Sequence, residues 1–444
     1  MRKHLNFGPV QTLAAGFALI ILSGALLLML PVSSRGGAGV PFLNALFTSC
    51  SATCVTGLVV YDTWTQFSWF GQAVILLLIQ TGGLGFMTIA VSLPMALGRR
   101  IGLRERSFLM EAVSSLQIGG VVRLVRRILV GTLLFEGAGA LILTLRFWPY
   151  FGVRAIWYGV FHSVSAFCNA GFDLMGSIAP YASLTPFVSD PVVCLTVACL
   201  IVVGGIGFVV WNDLAQNGMS PRRWNLHTRA AVTVTAVLIA LGTVGFLITE
   251  QNGVLAGMSG GGRFLAALFQ AVTPRTAGFN TVGTASLSEG GKLLTMLLMV
   301  VGASPGGTGG GIKTTTFLVI LATLFSSMRR REDVNLFRHR LPSDAARRAC
   351  TGAAFYLLLI LGGCFVLTLS QPMALVDAMF ESISAIGTVG LSTGVTRSLS
   401  AASRVAVILL MYSGRLGSLT VFMAVTERRR AAKLRSPEGK IIIG

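Results

Sequence analysis

Charged side chains are scarce in this sequence. Asp, Glu, Lys and Arg together make up 11% of its 444 residues, whereas soluble domains carry about 25%. Hydrophobic residues account for 53% of the chain. A composition this poor in charge excludes an ordinary soluble globular protein and predicts a chain that lies in a lipid bilayer.

Side chains that usually carry chemistry are few as well. The sequence has seven Cys and four His. No two Cys form a C-x-x-C pair, and Cys194, Cys199, Cys350 and Cys364 fall inside apolar runs. Metal centres and disulfide frameworks need clustered thiols, so the spacing predicts neither. These cysteines are interpreted as small apolar residues of a packed interior.

Long apolar runs, by contrast, are abundant. A run of about 20 residues suffices to cross a hydrocarbon core of ~30 Å. Eight runs reach that length, at about 11–31, 71–97, 124–146, 187–211, 229–249, 291–327, 349–370 and 402–426. The sequence therefore predicts an all-α polytopic membrane protein with eight transmembrane helices.

The formal net charge of +19 raises the question of a nucleic-acid partner. Most of the 35 Lys and Arg residues lie at the two chain ends and in alternate connections between the apolar runs. If both termini are cytoplasmic, these residues all face the cytoplasm, as the positive-inside rule requires. The basic charge thus predicts topology in a cell (inner or plasma) membrane, and no nucleic-acid partner is expected.

Four apolar stretches are too short to cross the membrane, at 41–52, 154–167, 263–273 and 373–386. Stretches of ~10 to 14 residues are typical of re-entrant helices. Their ends read FTSCSATCVTGL, FHSVSAFCNAGF, FQAVTPRTAGF and FESISAIGTVGL. In each, Phe is followed four residues later by Ser or Thr and nine or ten residues later by Gly.

An internal repeat this regular predicts four pseudo-symmetric units around a central pore. Each unit comprises a helix, a re-entrant pore helix, a loop and a second helix. The predicted boundaries are 1–98, 99–218, 219–330 and 331–444, and the third unit has a broken second helix.

The loop that ends each motif is interpreted as one quarter of a selectivity filter. Non-helical backbone inside a membrane is tolerated only where it is buried in protein or lines a water-filled path. Glycine permits positive φ, so successive carbonyls can point the same way, and a ring of such carbonyls can replace a cation's hydration shell. The predicted filter residues are Thr53, Cys54, Val55, Thr56, Gly57, Cys168, Asn169, Ala170, Gly171, Thr276, Ala277, Gly278, Gly387, Thr388, Val389 and Gly390.

Two acidic residues, Asp62 and Asp173, follow the first two loops on the side predicted to face outward. Carboxylates there could concentrate cations at the pore entrance. The alternative is that they are ordinary loop acids in water, and the sequence leaves both readings open.

The sixth apolar run contains six Gly and one Pro between Gly302 and Lys313. No regular helix tolerates that composition, so the helix breaks. Small residues offer little packing to fix such a loop in one state, which favours a gate below the filter. The predicted gate residues of this run are Gly306, Gly307, Thr308, Gly309, Gly310, Gly311 and Lys313. A passive kink that lets helices pack is the alternative.

The same run partly resembles two enzyme motifs but fulfils the requirements of neither. Gly302, Ser304 and Gly306 satisfy G-x-S-x-G, yet neither a preceding strand nor a catalytic triad order emerges around them. Ile312 separates Gly311 from Lys313 and so breaks the phosphate-binding G-K-[ST] pattern. The sequence predicts a protein that is not an enzyme.

The four loop motifs, together with ASPGGTGGGIKTTTF at 303–317, resemble the filters and intramembrane loop of the Trk/Ktr/HKT superfamily of potassium transporters. The eight spans and the ending KIIIG are most similar to the Ktr-type membrane subunit. That resemblance implies a homodimer with one pore per protomer, bound to a cytoplasmic ring of nucleotide-binding regulatory subunits, and surrounded by membrane lipid.

The resemblance also assigns roles to individual residues. Arg415 resembles the family's pore-facing arginine, which acts as an electrostatic barrier below the filter; the alternative is a salt bridge to Glu136. Gly57 stands where a serine is associated with sodium preference in plant relatives, which favours potassium. Arg275 adjoins filter residue Thr276 and is expected to lie behind the loop as a structural strut.

The predicted function is therefore potassium uptake with K⁺ as the transported ion and no cofactor in this chain; stimulation by Na⁺ is left open. The alternative is a secondary transporter that couples a cation to protons or sodium. Such a transporter would use an intramembrane carboxylate, for which Glu136 is the main candidate.

Overall fold

The computed structural model describes residues 9–85, 121–331, 333–342 and 344–417. Within these ranges the chain forms fifteen α-helices, several single 3₁₀ turns and one short antiparallel hairpin of β1 (Asn335–Leu336) and β2 (His339–Arg340). The arginines predicted to face the cytoplasm between 99 and 120, and those of the tail after 418, lie outside the described residues.

The first half of the chain contributes two similar groups of helices. The first group is α1 (Pro9–Met29), α2 (Phe42–Thr53), the single turn α3 (Thr63–Gln66) and α4 (Trp69–Leu84). The second group is α5 (Val121–Phe151), α6 (Ala155–Phe167), α7 (Pro191–Gly205) and α8 (Phe208–Asn217).

The second half of the chain contributes two further groups of helices. Its third group is α9 (Leu226–Thr249), α10 (Gly260–Val272), α11 (Glu289–Val300) and α12 (Thr314–Met328). Its fourth group is α13 (Ala345–Ser370), α14 (Leu375–Gly387) and α15 (Ala401–Leu416). The short helices α2, α6, α10 and α14 coincide with the four stretches interpreted as re-entrant, within a few residues at each end.

These four short helices lie in the interior, and most of their residues are buried. The Phe that begins each motif is at most 1% exposed: Phe47, Phe161, Phe269 and Phe380. Burial of this aromatic side chain fixes each short helix in the interior. The loops that follow are thereby brought to one place in the molecule.

Helix length only partly matches the predicted eight spans. Among the described residues, four apolar segments are long enough to cross a bilayer, and a fifth is obtained if the bent pair α7 and α8 is counted as one span. The helices α4 and α12 are apolar but shorter. The eight-span, pseudo-symmetric architecture remains a prediction.

The shortness of the second helices has a local cause that the sequence analysis did not anticipate. The runs 71–97, 187–211 and 402–426 were each predicted as one span, and their helices end at Leu84, Gly205 and Leu416. Residues 86–97 and 418–426 of these runs lie outside the described residues. Just beyond each end a glycine takes a positive φ, with values of 80°, 101° and 88° at Gly85, Gly207 and Gly417. Glycine ends helices in this conformation at no steric cost.

Candidate functional site

The four predicted loops share one unusual backbone conformation. In each, the glycine has a positive φ, and so does the residue two positions before it. These φ values are 58° and 90° for Val55 and Gly57, 59° and 70° for Asn169 and Gly171, 71° and 78° for Thr276 and Gly278, and 51° and 90° for Thr388 and Gly390. Left-handed conformations cost non-glycine residues of order 1 kcal/mol, so four parallel occurrences indicate a shared constraint.

The four glycines form a closed ring. A Cβ added to Gly57 would lie 2.5 Å from the carbonyl oxygen of Ala170, and one added to Gly171 would lie 2.7 Å from that of Ala277. One added to Gly278 would lie 2.5 Å from that of Val389. At Gly390 the added atom would collide with the carbonyl of Thr56, which closes the circle.

This glycine ring (Gly57, Gly171, Gly278 and Gly390) requires glycine at every position for two reasons. Each φ is positive, and each missing side chain is replaced by the backbone of the next loop. Four backbone segments can approach one axis this closely only without Cβ atoms. The arrangement places oxygen dipoles of four loops around a common centre.

The hydroxyl residues of the repeat support the ring from behind. Ser51 Oγ accepts from the Gly57 N–H, and Ser384 Oγ accepts from the Gly390 N–H, each at 3.1 Å. In the other two groups the hydroxyl donates to the carbonyl one residue beyond the glycine: Ser165 to Phe172 and Thr273 to Phe279, each at 2.7 Å. The Ser/Thr position of the motif therefore anchors the loop to its short helix.

Not every predicted filter residue lies in the left-handed loop. Thr53 and Gly387 are the last residues of α2 and α14, and Cys54 and Cys168 follow the ends of α2 and α6 in right-handed conformations. The other predicted residues contribute the segments 55–57, 169–171, 276–278 and 388–390. These segments come together at the glycine ring.

The glycine-rich loop (residues 301–313) separates α11 from α12, as predicted. Its two ends are bonded to each other: the Gly302 N–H donates to the Ile312 carbonyl at 2.9 Å and the Ala303 N–H to the Gly310 carbonyl at 3.3 Å. Ser304 Oγ lies 2.8 Å from Thr314 Oγ1 and is fully buried, with no base or acid among its partners.

The glycine-rich loop packs directly against two of the segments that meet at the glycine ring. The Gly310 N–H donates to Thr388 Oγ1 at 3.0 Å, and a Cβ added to Gly309 would collide with Thr276 Oγ1. Both threonines have a positive φ and belong to the segments predicted to form the filter. The glycines of this loop thus permit close packing beneath the ring, whereas the sequence analysis predicted that they would leave the loop loosely packed.

The same loop is bonded to the second group of helices. The Ser304 N–H donates to the Gly205 carbonyl at 3.0 Å, and the Phe208 N–H donates to the Gly306 carbonyl at 2.9 Å. Thr308 Oγ1 donates to the Phe167 carbonyl at the end of α6, at 3.2 Å. The bend between α7 and α8 therefore accommodates the loop.

Two cationic side chains hold the loop from below. Lys313 Nζ donates to the Gly309 carbonyl at 2.7 Å. The Arg415 guanidinium donates to the Thr308 carbonyl of the loop and to the Gly82 carbonyl at the end of α4, and its Nη2 lies 3.2 Å from the Gly83 carbonyl. Arg415 thus connects the loop of the third group to the first group, across the level beneath the ring.

The alternative partner of Arg415 is not used. Glu136 on α5 is 6% exposed and accepts from Gln80 Nε2 at 3.2 Å, with its other oxygen 3.8 Å from Cys168 Sγ. Arg275 is also buried, and its Nη2 donates to Thr235 Oγ1 of α9 at 3.1 Å. Arg275 therefore lies between its loop and α9, the position expected of a strut.

A cavity of about 70 Å³ lies against the other side of the ring, and all four ring glycines line it. Asp62 and Asp173 also line this cavity, which we call the mouth. Asp62 accepts from the N–H groups of Thr65 and Tyr181, at 2.8 and 2.9 Å, so it caps α3 and joins the first two groups. Burial, and secondarily the carboxylate of Asp62, raises the pKa of Asp173 to about 7.

Several residues near the ring were missed by the sequence analysis. Arg397 lines the mouth, and its guanidinium stacks 3.7 Å above the ring of Tyr181. Glu381 accepts from Ser392 Oγ at 2.8 Å and from Thr396 Oγ1, and His162 Nε2 accepts from the Leu174 N–H at 3.4 Å. Glu381 and His162 each come directly after the Phe of their motif. The aligned repeats therefore show a polar side chain at the same position in these two motifs.

The fold and site together define a class: a helical membrane protein in which four short helices present backbone carbonyls to one axis. Comparison with known protein families identifies the family within this class. Residues 9–433 match the family model TrkH, described as "Cation transport protein". The chain belongs to this family of cation transport proteins, which are not enzymes.

Individual relatives agree over the whole length. The chain is 40% identical to the Ktr system potassium uptake protein B of Bacillus subtilis over 100% of this chain and 98% of the relative. It is 37% identical to the potassium/sodium uptake protein NtpJ of Enterococcus hirae, with the same coverage. The crystal structure of the potassium transporter TrkH from Vibrio parahaemolyticus superposes with a TM-score of 0.76 at 19% identity, covering 97% of this chain and 88% of that one.

Proposed function

We propose that the chain takes up potassium across the plasma membrane through the glycine ring and its four left-handed loops. The closed ring of backbone contacts carries the proposal, because it assembles carbonyl dipoles from four separate segments at one axis. Such dipoles replace the hydration shell of a cation and require no chemistry on it. The names of the relatives, which describe potassium uptake, agree with this proposal.

The driving force is the electrochemical gradient. A membrane potential favours entry of a monovalent cation by ~2.3 kcal/mol per 100 mV. Ions enter at the mouth lined by Asp62 and Asp173, lose water at the ring, and continue past the glycine-rich loop. Gly57 at the first position, in place of a serine, leaves the four ring positions equivalent.

The glycine-rich loop and Arg415 form the gate in this proposal. The loop contacts Thr276 and Thr388 from below, and Arg415 fastens it to the Gly82 carbonyl. A cation that leaves the ring therefore meets a packed loop and a fixed positive charge. Opening requires the hydrogen bonds of Lys313 and Arg415 to the loop to break, which makes the gate a two-state element.

Regulation and assembly follow the Ktr pattern in this proposal. We place a cytoplasmic ring of nucleotide-binding subunits on the basic side of the chain and a second protomer beside it. Binding of such a ring would shift the balance between the packed and the open state of the glycine-rich loop.

One observation favours a second candidate, a secondary transporter coupled to protons or sodium. Glu136 is a buried carboxyl group beside Gln80 and Cys168, immediately behind the second loop. An intramembrane carboxylate of this kind is typical of proton relays. In that case uptake would stop when the proton and sodium gradients are removed, and Glu136→Gln would uncouple it.

The proposal is tested by flux in liposomes that contain the purified protein. Gradients of potassium, rubidium, sodium and lithium are compared for wild type, Gly57→Ser and the control Gly36→Ser. Gly36 has no atom within 4 Å of an added Cβ. Potassium and rubidium are expected to exceed sodium, and only Gly57→Ser is expected to lower that ratio. Equal flux of all four cations in wild type contradicts the proposal.

A further inference from the structure

A groove with a basic end and an apolar floor lies between α5 and α8, away from the ion path. Its volume is about 690 Å³. Arg123, Arg126 and Arg127 line one part of it, and Val130, Leu134 and Trp211 line the rest. No step of the proposed transport uses this basic groove.

The position of the basic groove along α5 matches the interfacial region of a bilayer. Glu136 marks the level of the second loop, because it contacts Cys168. Arg127 precedes Glu136 by nine residues, which is ~13 Å along a helix. Since the hydrocarbon core is ~30 Å thick, the arginines lie near its edge, on the side away from the mouth of Asp62 and Asp173.

The walls of the groove are built from exposed apolar residues and a fixed aromatic corner. Val130 and Leu134 are 51% and 67% exposed. Trp211 packs against Phe135 and Phe208 with ring centroids 5.1 and 5.2 Å apart. A Cβ added to Gly131 would lie 3.0 Å from the Trp211 ring, so the absence of a side chain there keeps the floor open.

The charged end is held in place as well. Arg127 Nη1 donates to Asn212 Oδ1 of α8 at 2.5 Å, while Arg123 and Arg126 are exposed beside it. The helix α8 itself bends away from α7 by 92°. Three guanidinium groups therefore lie where α8 crosses the first turns of α5.

This combination fits one kind of occupant. Guanidinium groups bind phosphate by paired hydrogen bonds, and basic pockets between helices at the cytoplasmic surface bind anionic lipid head groups. A free phosphate would leave the apolar part of the groove uncovered. An amphiphile with a phosphate at one end and an acyl chain at the other covers both parts.

The groove is also connected to the glycine-rich loop. Phe208 lines the groove, and its N–H donates to the Gly306 carbonyl at 2.9 Å. Gly207, one residue earlier, approaches the loop so closely that an added Cβ would lie 2.7 Å from the Pro305 carbonyl oxygen. A ligand that steadies α8 therefore steadies one side of this loop.

We propose that the basic groove binds one anionic phospholipid, with its phosphate on the three arginines and an acyl chain along Val130 and Leu134. The bound lipid stabilises the packed state of the glycine-rich loop through α8. The second statement rests on the proposed transport function, whereas the first does not.

Binding is tested first, by native mass spectrometry of the detergent-solubilised protein with phosphatidylglycerol or phosphatidylcholine. The triple variant Arg123→Gln, Arg126→Gln and Arg127→Gln is expected to retain at least about tenfold less phosphatidylglycerol than wild type. The control triple Arg222→Gln, Arg223→Gln and Arg347→Gln removes the same charge from exposed positions elsewhere. Equal losses in both triples would overturn the proposal.

A second pair of variants tests the apolar part. Leu134→Gln lies in the groove, whereas Leu133→Gln, at 69% exposure, does not line it. Only Leu134→Gln is expected to lower phosphatidylglycerol retention. Displacement of the lipid by inorganic phosphate would assign the site to a free anion. A groove variant that changes the oligomeric state but not lipid binding would assign the surface to a second copy of the chain. Either result overturns the proposal.

The effect on the glycine-rich loop is measured as potassium flux in vesicles of phosphatidylcholine with and without phosphatidylglycerol. Wild type is expected to conduct about twofold to threefold less with phosphatidylglycerol, and the groove triple is expected to lose this dependence. Lipid binding without any change in flux overturns the connection to the loop. Absence of flux in both vesicles contradicts the proposed function but leaves the binding result standing.

Discussion

The glycine ring and the level beneath it are built by opposite rules. In the ring, four loops repeat one backbone conformation, and each glycine faces the carbonyl that precedes the next. Beneath it, the corresponding positions differ: Gly83 and Gly205 in the first two groups, the glycine-rich loop in the third, and Arg415 in the fourth. Equivalent dipoles suit coordination of a spherical ion, whereas a gate needs one moving element and one element that holds it.

Potassium flux should be most sensitive to a single atom added in the glycine ring. Gly390→Ala combines a positive φ with a collision against the Thr56 carbonyl. We expect it to reduce potassium flux by about a hundredfold or more, because the methyl group opens the ring. Flux in liposomes, normalised to folded protein, measures this loss.

The neighbouring Gly394 supplies a matched control. Its φ is +102°, but an added Cβ has no atom within 4 Å. Gly394→Ala therefore introduces backbone strain without closing on the ring, and flux is expected to stay within about threefold of wild type. If both variants lose flux equally, strain and not ring geometry accounts for the loss.

Substitution of Arg415, beneath the ring, should change potassium flux in the opposite direction. Arg415→Ala removes the hydrogen bonds to the Thr308 and Gly82 carbonyls together with a fixed positive charge. We expect inward potassium flux to increase by about fivefold to tenfold, since the packed state loses its cross-link and a barrier disappears. Arg415→Lys keeps the positive charge but cannot bridge the two carbonyls in the same way, so its flux should lie between those of wild type and Arg415→Ala. A flux in Arg415→Ala at or below that of wild type would contradict this role.

A smaller effect is expected where the ring and the loop meet. Thr388→Val preserves shape but removes the oxygen that accepts from the Gly310 N–H at 3.0 Å. Losing this hydrogen bond, worth about 1 kcal/mol, should increase flux by about twofold to fivefold. Thr132→Val removes a buried hydroxyl that has no partner among the described residues and serves as the control. Identical behaviour of the two variants would show that the contact does not hold the gate.

The smallest effect concerns the mouth. Because burial raises the pKa of Asp173 to about 7, its charge is present above that pH and lost below it. At low potassium concentration, uptake at pH 8 should exceed uptake at pH 6 by about twofold, since the carboxylate concentrates cations at the ring.

Asp173→Asn should abolish that pH dependence. Glu289→Gln removes an exposed carboxylate at the start of α11 and should preserve it. A pH dependence that persists in Asp173→Asn assigns the titration to another group.

The repeated part of this architecture was predictable from the sequence. A recurring Phe, hydroxyl and Gly at fixed spacing identified the four short helices and the loops after them, because the same backbone geometry imposes the same residue types. The closure of the ring could not be predicted from it, since it depends on contacts between loops about 110 residues apart and, for Gly390 and Gly57, more than 300 residues apart.

The asymmetric part was harder to predict. Composition located the helix break near Gly306 but gave no indication that the loop packs against Thr276 and Thr388, or that Arg415 reaches the Gly82 carbonyl. The ends of α4, α7 and α15 were also missed. A single glycine inside an apolar run has several meanings, and only tertiary contacts decide between close packing and a helix end.

The proposed transport path requires a cation at the centre of the glycine ring. Crystals soaked in rubidium or thallium salts, measured at wavelengths that give anomalous scattering, would locate such ions directly. We predict an anomalous peak on the axis between Gly57, Gly171, Gly278 and Gly390, which a sodium soak does not produce. An empty ring in crystals that bind these ions elsewhere in the protein would contradict the central claim.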